Sequence, residues 1–315
     1  MVEAGLLDYE TYLRCLGRAS EKRAWILMTG TFESSLGWYA EKFNQWQGKN
    51  DEDARSFSLA SWMNTVIFPG GRADAEILRL ENQFSRERFL ERFGGVPCPP
   101  FGLVFKEFRS LVHTKEIGFD ADHPVYLWID PGYAGAYAVE VAQIIQDRVF
   151  IVDEIYEQGF ITEEIIQICR MRPWWAKVQG GAVDIAARQH QAMPAVAEVW
   201  QKEAGLRLSS QKVDIKEGIE RLKTFLKPHP ITGEANIVFN IRCKGIIGEF
   251  GGCPPAFDGD GVYRYKTDRQ GTIIGDTPED KNNHGIKAII YGLVNRFGYA
   301  KVQPGAYRPK QYVHF

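Results

Sequence analysis

Two aspartates end apolar runs that read as strands. Asp130 closes Val125-Tyr126-Leu127-Trp128-Ile129, and Asp184 closes the run from Val178 to Val183. Carboxylates at the carboxyl ends of neighbouring strands open into one crevice, where α/β sheets bind their ligands. Their hard oxygens suit Mg²⁺ or Mn²⁺, which take one or two acids and leave other positions to water and substrate phosphates. Two such ions ~4 Å apart would stabilise the attacking and leaving oxygens of an in-line phosphodiester cleavage. Asp is also a common turn former after a strand, so neither residue alone decides the chemistry. A third group stands later in the chain, where Asp276, Glu279, Asp280 and His284 gather before an apolar periodic segment. A helix beginning at Asp280 would put Asp280 and His284 one turn apart on one face. Acids in such a first turn also compensate the helix dipole.

The elements that hold these groups follow from hydropathy patterning. Ala136 to Ile145 and Arg148 to Ile155 are extended runs split by Gln146-Asp147, which suits a hairpin turn. Helical periodicity is expected from Thr162 to about Arg170, over Ala187 to Glu203, over Ile215 to Leu226, over Cys243 to Phe250 and over Asp280 to Phe297. Ile237 to Phe239 is a further strand, and Val262 to Ile274 reads as a hairpin turning at Gln270-Gly271. Three adjacent antiparallel strands followed by strand-helix alternation predict an α/β fold, a mixed sheet flanked by helices on both faces. The Gly- and Pro-rich stretch Gly94 to Gly102 reads as a break between domains. The expected organisation is a first part over 1–105, a linker over 106–124, a domain over 125–302, and a flexible tail over 303–315.

Composition narrows the partners. With 38 Lys plus Arg against 40 Asp plus Glu over 315 residues, the formal net charge is -2, which excludes a polybasic nucleic-acid coat. A hydrophobic content of 44% is that of a globular protein with proper cores, not of a disordered chain. Five cysteines without a CxxC pair argue against a disulfide framework or a zinc site. No run nears the ~20 apolar residues that span a bilayer, and the first residues lack a secretory pattern, so the cytoplasm is the expected location. Local basic clusters can still meet phosphates, because distant charges are screened beyond ~8 Å. Arg264, Lys266, Arg269 and Lys281 surround the expected hairpin, where Tyr263 and Tyr265 alternate with the cations. The stretch Lys212, Lys216, Arg221, Lys223 and Lys227 is equally readable as a solvated helix face. Trp174-Trp175 reads as packing, and His190 and His229 have no identifiable partner.

Several segments carry a resemblance. Asn282-Asn283-His284-Gly285-Ile286-Lys287-Ala288-Ile289-Ile290-Tyr291-Gly292 resembles the last nuclease motif of the large terminase subunits of tailed bacteriophages. Trp128-Ile129-Asp130-Pro131-Gly132 resembles their first nuclease motif, and Ala182-Val183-Asp184 their second. The segments Ile215 to Leu226 and Cys243 to Phe250 fall between them in the family's order. The likeness runs over 125–300, and four weak motifs in the right order make it specific. It implies a ribonuclease H-like, RuvC-type nuclease that cuts double-stranded DNA with two Mg²⁺ or Mn²⁺ ions. Carried over, Asp130 is the central carboxylate, Asp184 the second, and His284 the group opening the last helix. Lys287 stands where many relatives have an aspartate, and an ammonium cannot bind Mg²⁺. Asp280, then Asp276, are the candidate substitutes, and Lys287 instead contacts a phosphate. Portal and small terminase subunit are the implied partners, and the bacterial host cytoplasm the implied location. A Holliday-junction resolvase or ribonuclease H of the same fold is the alternative enzyme, and a non-catalytic subunit docking DNA or a portal is the alternative outside enzymes.

The first hundred residues resemble part of the same family's motor. Trp25-Ile26-Leu27-Met28-Thr29-Gly30-Thr31-Phe32 resembles the strand and Thr-rich coupling motif after Walker B, and Phe84 to Gly94 with Val104-Phe105 the run into the linker. Met1 to Gly5 resembles a Walker B remnant with Glu3 as its glutamate. No G-x-x-x-x-G-K-[ST] occurs, so no phosphate-cradling loop with a lysine is present. The expected arrangement is a partial P-loop-type ATPase domain lacking Walker A, and binding of ATP is not expected.

Overall fold

The computed structural model describes residues 1–32, 36–47, 54–84, 86–98, 102–184, 195–257, 261–267 and 273–300, with backbone alone for Glu87 and Asp276. Arg269, His190, the turn at Gln270-Gly271 and the tail 303–315 lie outside the described residues. The elements run α1 (Tyr9–Lys22), α2 (Trp38–Trp46), α3 (Ala75–Gln83), α4 (Arg86–Phe89), α5 (Ser110–His113), β1 (Thr114–Lys115), β2 (Val125–Asp130), β3 (Ala136–Ile145) and β4 (Arg148–Gln158). They continue with α6 (Thr162–Arg170), β5 (Val178–Val183), α7 (Val196–Ala204), β6 (Leu208–Ser209), α8 (Ile215–Leu226), β7 (Ile237–Asn240), α9 (Lys244–Glu249), β8 (Tyr265–Thr267), β9 (Ile273–Pro278) and α10 (His284–Phe297).

Among the described residues, seven strands form one sheet in the order β1-β7-β4-β3-β2-β5-β6. The β2–β3 and β3–β4 pairs are antiparallel, and the others are parallel. This is the mixed sheet expected from the pattern. Gln146 and Asp147 both take positive φ, 51° and 62°, which closes the β3–β4 hairpin in two residues with the twist the strands require. Strands β2 and β3 are central and nearly continuously apolar because helices cover both faces. One face packs Trp128, Ala142 and Ile151 under α8, α9 and α10; the other packs Leu127, Ile129 and Val183 under α6 and α7. Each such aliphatic or aromatic group withdrawn from water contributes about 1.5–3 kcal/mol.

Helix α10 lies directly on the sheet. A methyl group at Gly292 would stand 1.9 Å from the Trp128 ring, and one at Gly218 of α8 would stand 2.4 Å from Ile290. Two missing side chains therefore let the helix sit between sheet and α8 at closer range than any Cβ permits.

Four expectations change. The last helix starts at His284, not Asp280, because Asn282 adopts a left-handed φ of 52° and Asn283 is non-helical. The i, i+4 argument for Asp280 and His284 thus does not apply. Asp276 lies within β9, not in a loop. The segment Trp25 to Phe32 belongs to no described strand; it is tied to the chain start by Thr29 N–H donating to the Met1 carbonyl and Ala4 N–H to the Thr29 carbonyl. The stretch 106–124, expected as a connection, contributes α5 and the sheet strand β1. No described helix is long and apolar enough to cross a membrane.

Candidate active site

The crevice is built where β2 and β5 end. Ile129 pairs with Val183 in the parallel register, so the next residues, Asp130 and Asp184, leave neighbouring strands side by side. Alternation puts both on the face of Trp128 and Ala182, beneath α10. Asp130 is 7% exposed. Burial pushes its carboxyl above the ordinary range, with the nearby Asp184 charge acting in the same direction; His284 and Lys287 pull it back. An anion set among so few donors, beside a second anion, is the environment a hard cation relieves, so the pair fits Mg²⁺ or Mn²⁺.

Helix α10 supplies the remaining groups. His284 Nδ1 lies 3.0 Å from Asp130 Oδ2. That hydrogen bond raises the affinity of the imidazole for its proton, against burial, which lowers it. The other edge of the ring rests on Gly135, where a Cβ would stand 2.6 Å from Nε2. Among the described residues no hydrogen bond engages Nε2. Lys287, one turn on, directs its Nζ to Asp280 Oδ1 at 2.6 Å, and Asn283 donates to the same oxygen at 3.1 Å. These contacts hold the Asp280 carboxyl below its usual range. Tyr291, a further turn along, is buried with its hydroxyl near Asp184; burial first, and the Asp130 and Asp184 charges after it, push that hydroxyl up. His284, Lys287 and Tyr291 thus occupy one face of α10.

The structure brings Asp130, Asp184 and His284 to one crevice. Asp280 is 82% exposed and tied to Lys287. The side chain of Asp276 is outside the described residues. Among the described residues, no group of three or more His, Cys, Asp or Glu is placed to hold an ion. Tyr291 enters the sequence reading only as part of a motif; its aromatic position seven residues after His284 is the available signal.

A second set of acids, absent from the sequence reading, lies directly behind. Glu140 of β3 and Glu154 of β4 are cross-strand partners, and Glu140 is wholly buried. Burial and the neighbouring acids push both carboxyls up. With both ionised, neither Glu140 oxygen has a partner; with one proton between them, Glu140 donates to Glu154. Glu154 accepts from the Gly245 and Ile246 N–H groups at 2.9 and 2.7 Å, at the start of α9. Glu249, at the end of α9, accepts from Gly285 at 3.1 Å, Ile286 at 2.8 Å and the Tyr156 hydroxyl at 2.7 Å. Burial lifts Glu249 to about 7. A signal is present in the sequence: one Glu inside the run Ala136 to Ile145, apolar but for it and Gln143, where a charge has no solvent.

The hairpin residues follow the expected alternation. Tyr263 is buried and Tyr265 half-buried, while Arg264, Lys266 and Lys281 are exposed. On α8, Arg221 is not available to a ligand: its guanidinium lies over Phe225 and Phe297 and donates to the Phe297 carbonyl. Lys223 pairs with Glu220. Trp174 is buried with its indole N–H on Asp153.

No protein-family profile matches the chain, and no curated protein matches it. Among solved structures it is similar to the large terminase of a thermophilic bacteriophage, at 13% identity over 93% of this chain and 68% of that one, with a TM-score of 0.46. It is also similar to the large terminase nuclease domain of bacteriophage SPP1 with bound Mn, at 20% identity over 58% of this chain and 96% of that one, TM-score 0.41. A third is the large terminase nuclease of the thermophilic phage G20c with bound magnesium, at 12% identity over 62% of this chain and 98% of that one, TM-score 0.42.

Proposed function

We propose that the chain is a divalent-metal-dependent endonuclease that cuts double-stranded DNA, acting in phage genome packaging as a large terminase does. The observation that carries this reading is the meeting of Asp130 and Asp184, from adjacent parallel strands, with His284 at the head of α10. The ordered motifs over 125–300 supply the substrate class. Asp130 and Asp184 would hold Mg²⁺ or Mn²⁺. When bound, such an ion polarises the phosphodiester and makes water a nucleophile near neutral pH.

The chain's own residues do the rest. His284 fixes the Asp130 carboxylate through Nδ1 and keeps Nε2 available to carry a proton toward the leaving 3′ oxygen. The buried Tyr291 hydroxyl near Asp184 would steady that carboxylate. Exposed Arg264, Lys266 and Lys281 lie before α10 and meet the DNA backbone without reading bases, so cutting has weak sequence preference and steep salt dependence. Portal, small terminase subunit and host cytoplasm are the setting this reading carries with it. Incubation of supercoiled plasmid with Mn²⁺ tests the proposal. Nicking that requires the metal and disappears in Asp130→Ala is the expected result; equal nicking by that variant overturns it. A marked preference for four-way junctions over linear duplex would instead indicate a resolvase.

A further inference from the structure

The charges around the crevice count the ions it can take. Two carboxylates, Asp130 and Asp184, converge at the strand ends. Asp280, the first candidate for a third acid, is exposed and paired with Lys287 Nζ at 2.6 Å. Lys287 itself is only 21% exposed. It lies on the α10 face that carries His284 and Tyr291, and its charge is felt at Asp130. One divalent ion would balance Asp130 and Asp184. A second would add two positive charges beside the Lys287 ammonium, and among the described residues no third acid joins Asp130 and Asp184 to bind it.

We infer that the crevice holds a single divalent ion at Asp130 and Asp184, and that the Lys287 ammonium supplies the second positive charge on the phosphodiester. The two-ion expectation drawn from the resemblance gives way to one ion and one lysine. On DNA binding, Nζ exchanges the Asp280 carboxylate for a phosphate oxygen, one charge-assisted hydrogen bond for another. No bond to carbon or phosphorus changes in that exchange, and Lys287 is a charge donor, not a proton carrier. The inference rests on the proposed nuclease reading.

Calorimetric titration of the full chain with Mn²⁺, without DNA, tests it apart from activity. The expected stoichiometry is one ion per chain, lost in Asp130→Ala. Lys287→Asp, which restores a carboxylate and removes the cation, is expected to take two. Lys287→Met should keep one ion while kcat for nicking falls on the order of 100-fold with little change in the DNA concentration for half-maximal rate. Asp280→Asn should also keep one ion. Two ions in the unaltered chain, or loss of the ion in Asp280→Asn, overturns the inference while leaving a metal nuclease intact. No ion bound, together with nicking that survives Asp130→Ala, overturns the nuclease reading itself. Full nicking by Lys287→Met also overturns the inference.

Discussion

Two groups of acids sit within a few residues of each other in this fold, and they behave oppositely. Asp130 and Asp184 stand where two neighbouring strands end; Glu140, Glu154 and Glu249 lie inside the sheet-helix layer. The inner acids are answered by protein: two helix starts donate backbone N–H groups to Glu154 and Glu249, and Glu140 faces Glu154 across the strand pair. Among the described residues the outer pair is answered by side chains of α10 alone: the His284 ring on Asp130, with Lys287 and Tyr291 near by. Position along a strand thus separates acids that hold the fold from the acids proposed to take a metal, although Asp130 and the inner set alike are pushed toward protonation. A perturbed carboxyl alone would not have distinguished them.

Substitution can break this contrast. The largest effect is expected at the outer pair: Asp130→Ala or Asp184→Ala should lower plasmid nicking by roughly 10³-fold or more, while thermal melting stays level or improves because a buried charge has gone. A large loss of stability in Asp130→Ala would place it with the inner acids. Glu249→Ala should do the reverse, leaving two N–H groups and a tyrosine hydroxyl unpartnered and costing about 3 kcal/mol in denaturant melts. Its nicking is expected to fall only as far as α10 loosens.

Smaller effects sharpen the contrast. Gly135→Ala presses a methyl group on the His284 ring and should slow nicking about 10-fold without altering Mn²⁺ stoichiometry. The pH dependence of stability should follow the inner acids. Their folded-state affinities for protons are raised, so the folded state binds more protons than the unfolded one between the ordinary glutamate range and about 7, the value for Glu249. Stability is therefore fully present at the acid end of that window and declines as pH rises through it. Melting temperatures measured from the ordinary glutamate range to just above neutrality should show this decline, and Glu140→Gln should flatten it. An unchanged slope in Glu140→Gln would mean that Glu140 binds its proton alike in the folded and unfolded states.

The legibility of these groups in the sequence divides along the same line. Asp130 and Asp184 are visible because a strand followed by an acid is a local pattern. His284 is visible through its asparagine neighbours and the periodic segment after it. The sheet is visible because β2, β3 and β4 are short apolar runs with a two-residue turn between the last two. What fails is geometry set by a single dihedral: Asn282 at positive φ starts α10 four residues later than periodicity implies, which moves Asp280 off the helix face. The inner acids are illegible for another reason. Glu140 meets Glu154 only through strand register, and Glu249 meets Gly285 across 36 residues of chain. Lys287 stands out as a departure from a pattern, but its hold on Asp280 depends on a bend that the pattern does not show.

The glycine contacts of α10 carry a consequence for how this chain can vary. Gly292 over Trp128 and Gly218 under Ile290 interlock like a key in a slot, so the helix can neither slide nor turn without a steric collision. His284, Lys287 and Tyr291 inherit their phase from that interlock. A one-residue insertion between Lys287 and Tyr291 would rotate the two halves of the cassette by about 100° against each other, separating the groups that address Asp130 from the one that addresses Asp184. Single substitutions can retune the chemistry one group at a time; changes of length cannot. The family of functional variants open to this chain is therefore one of exchanged side chains on a helix of fixed register.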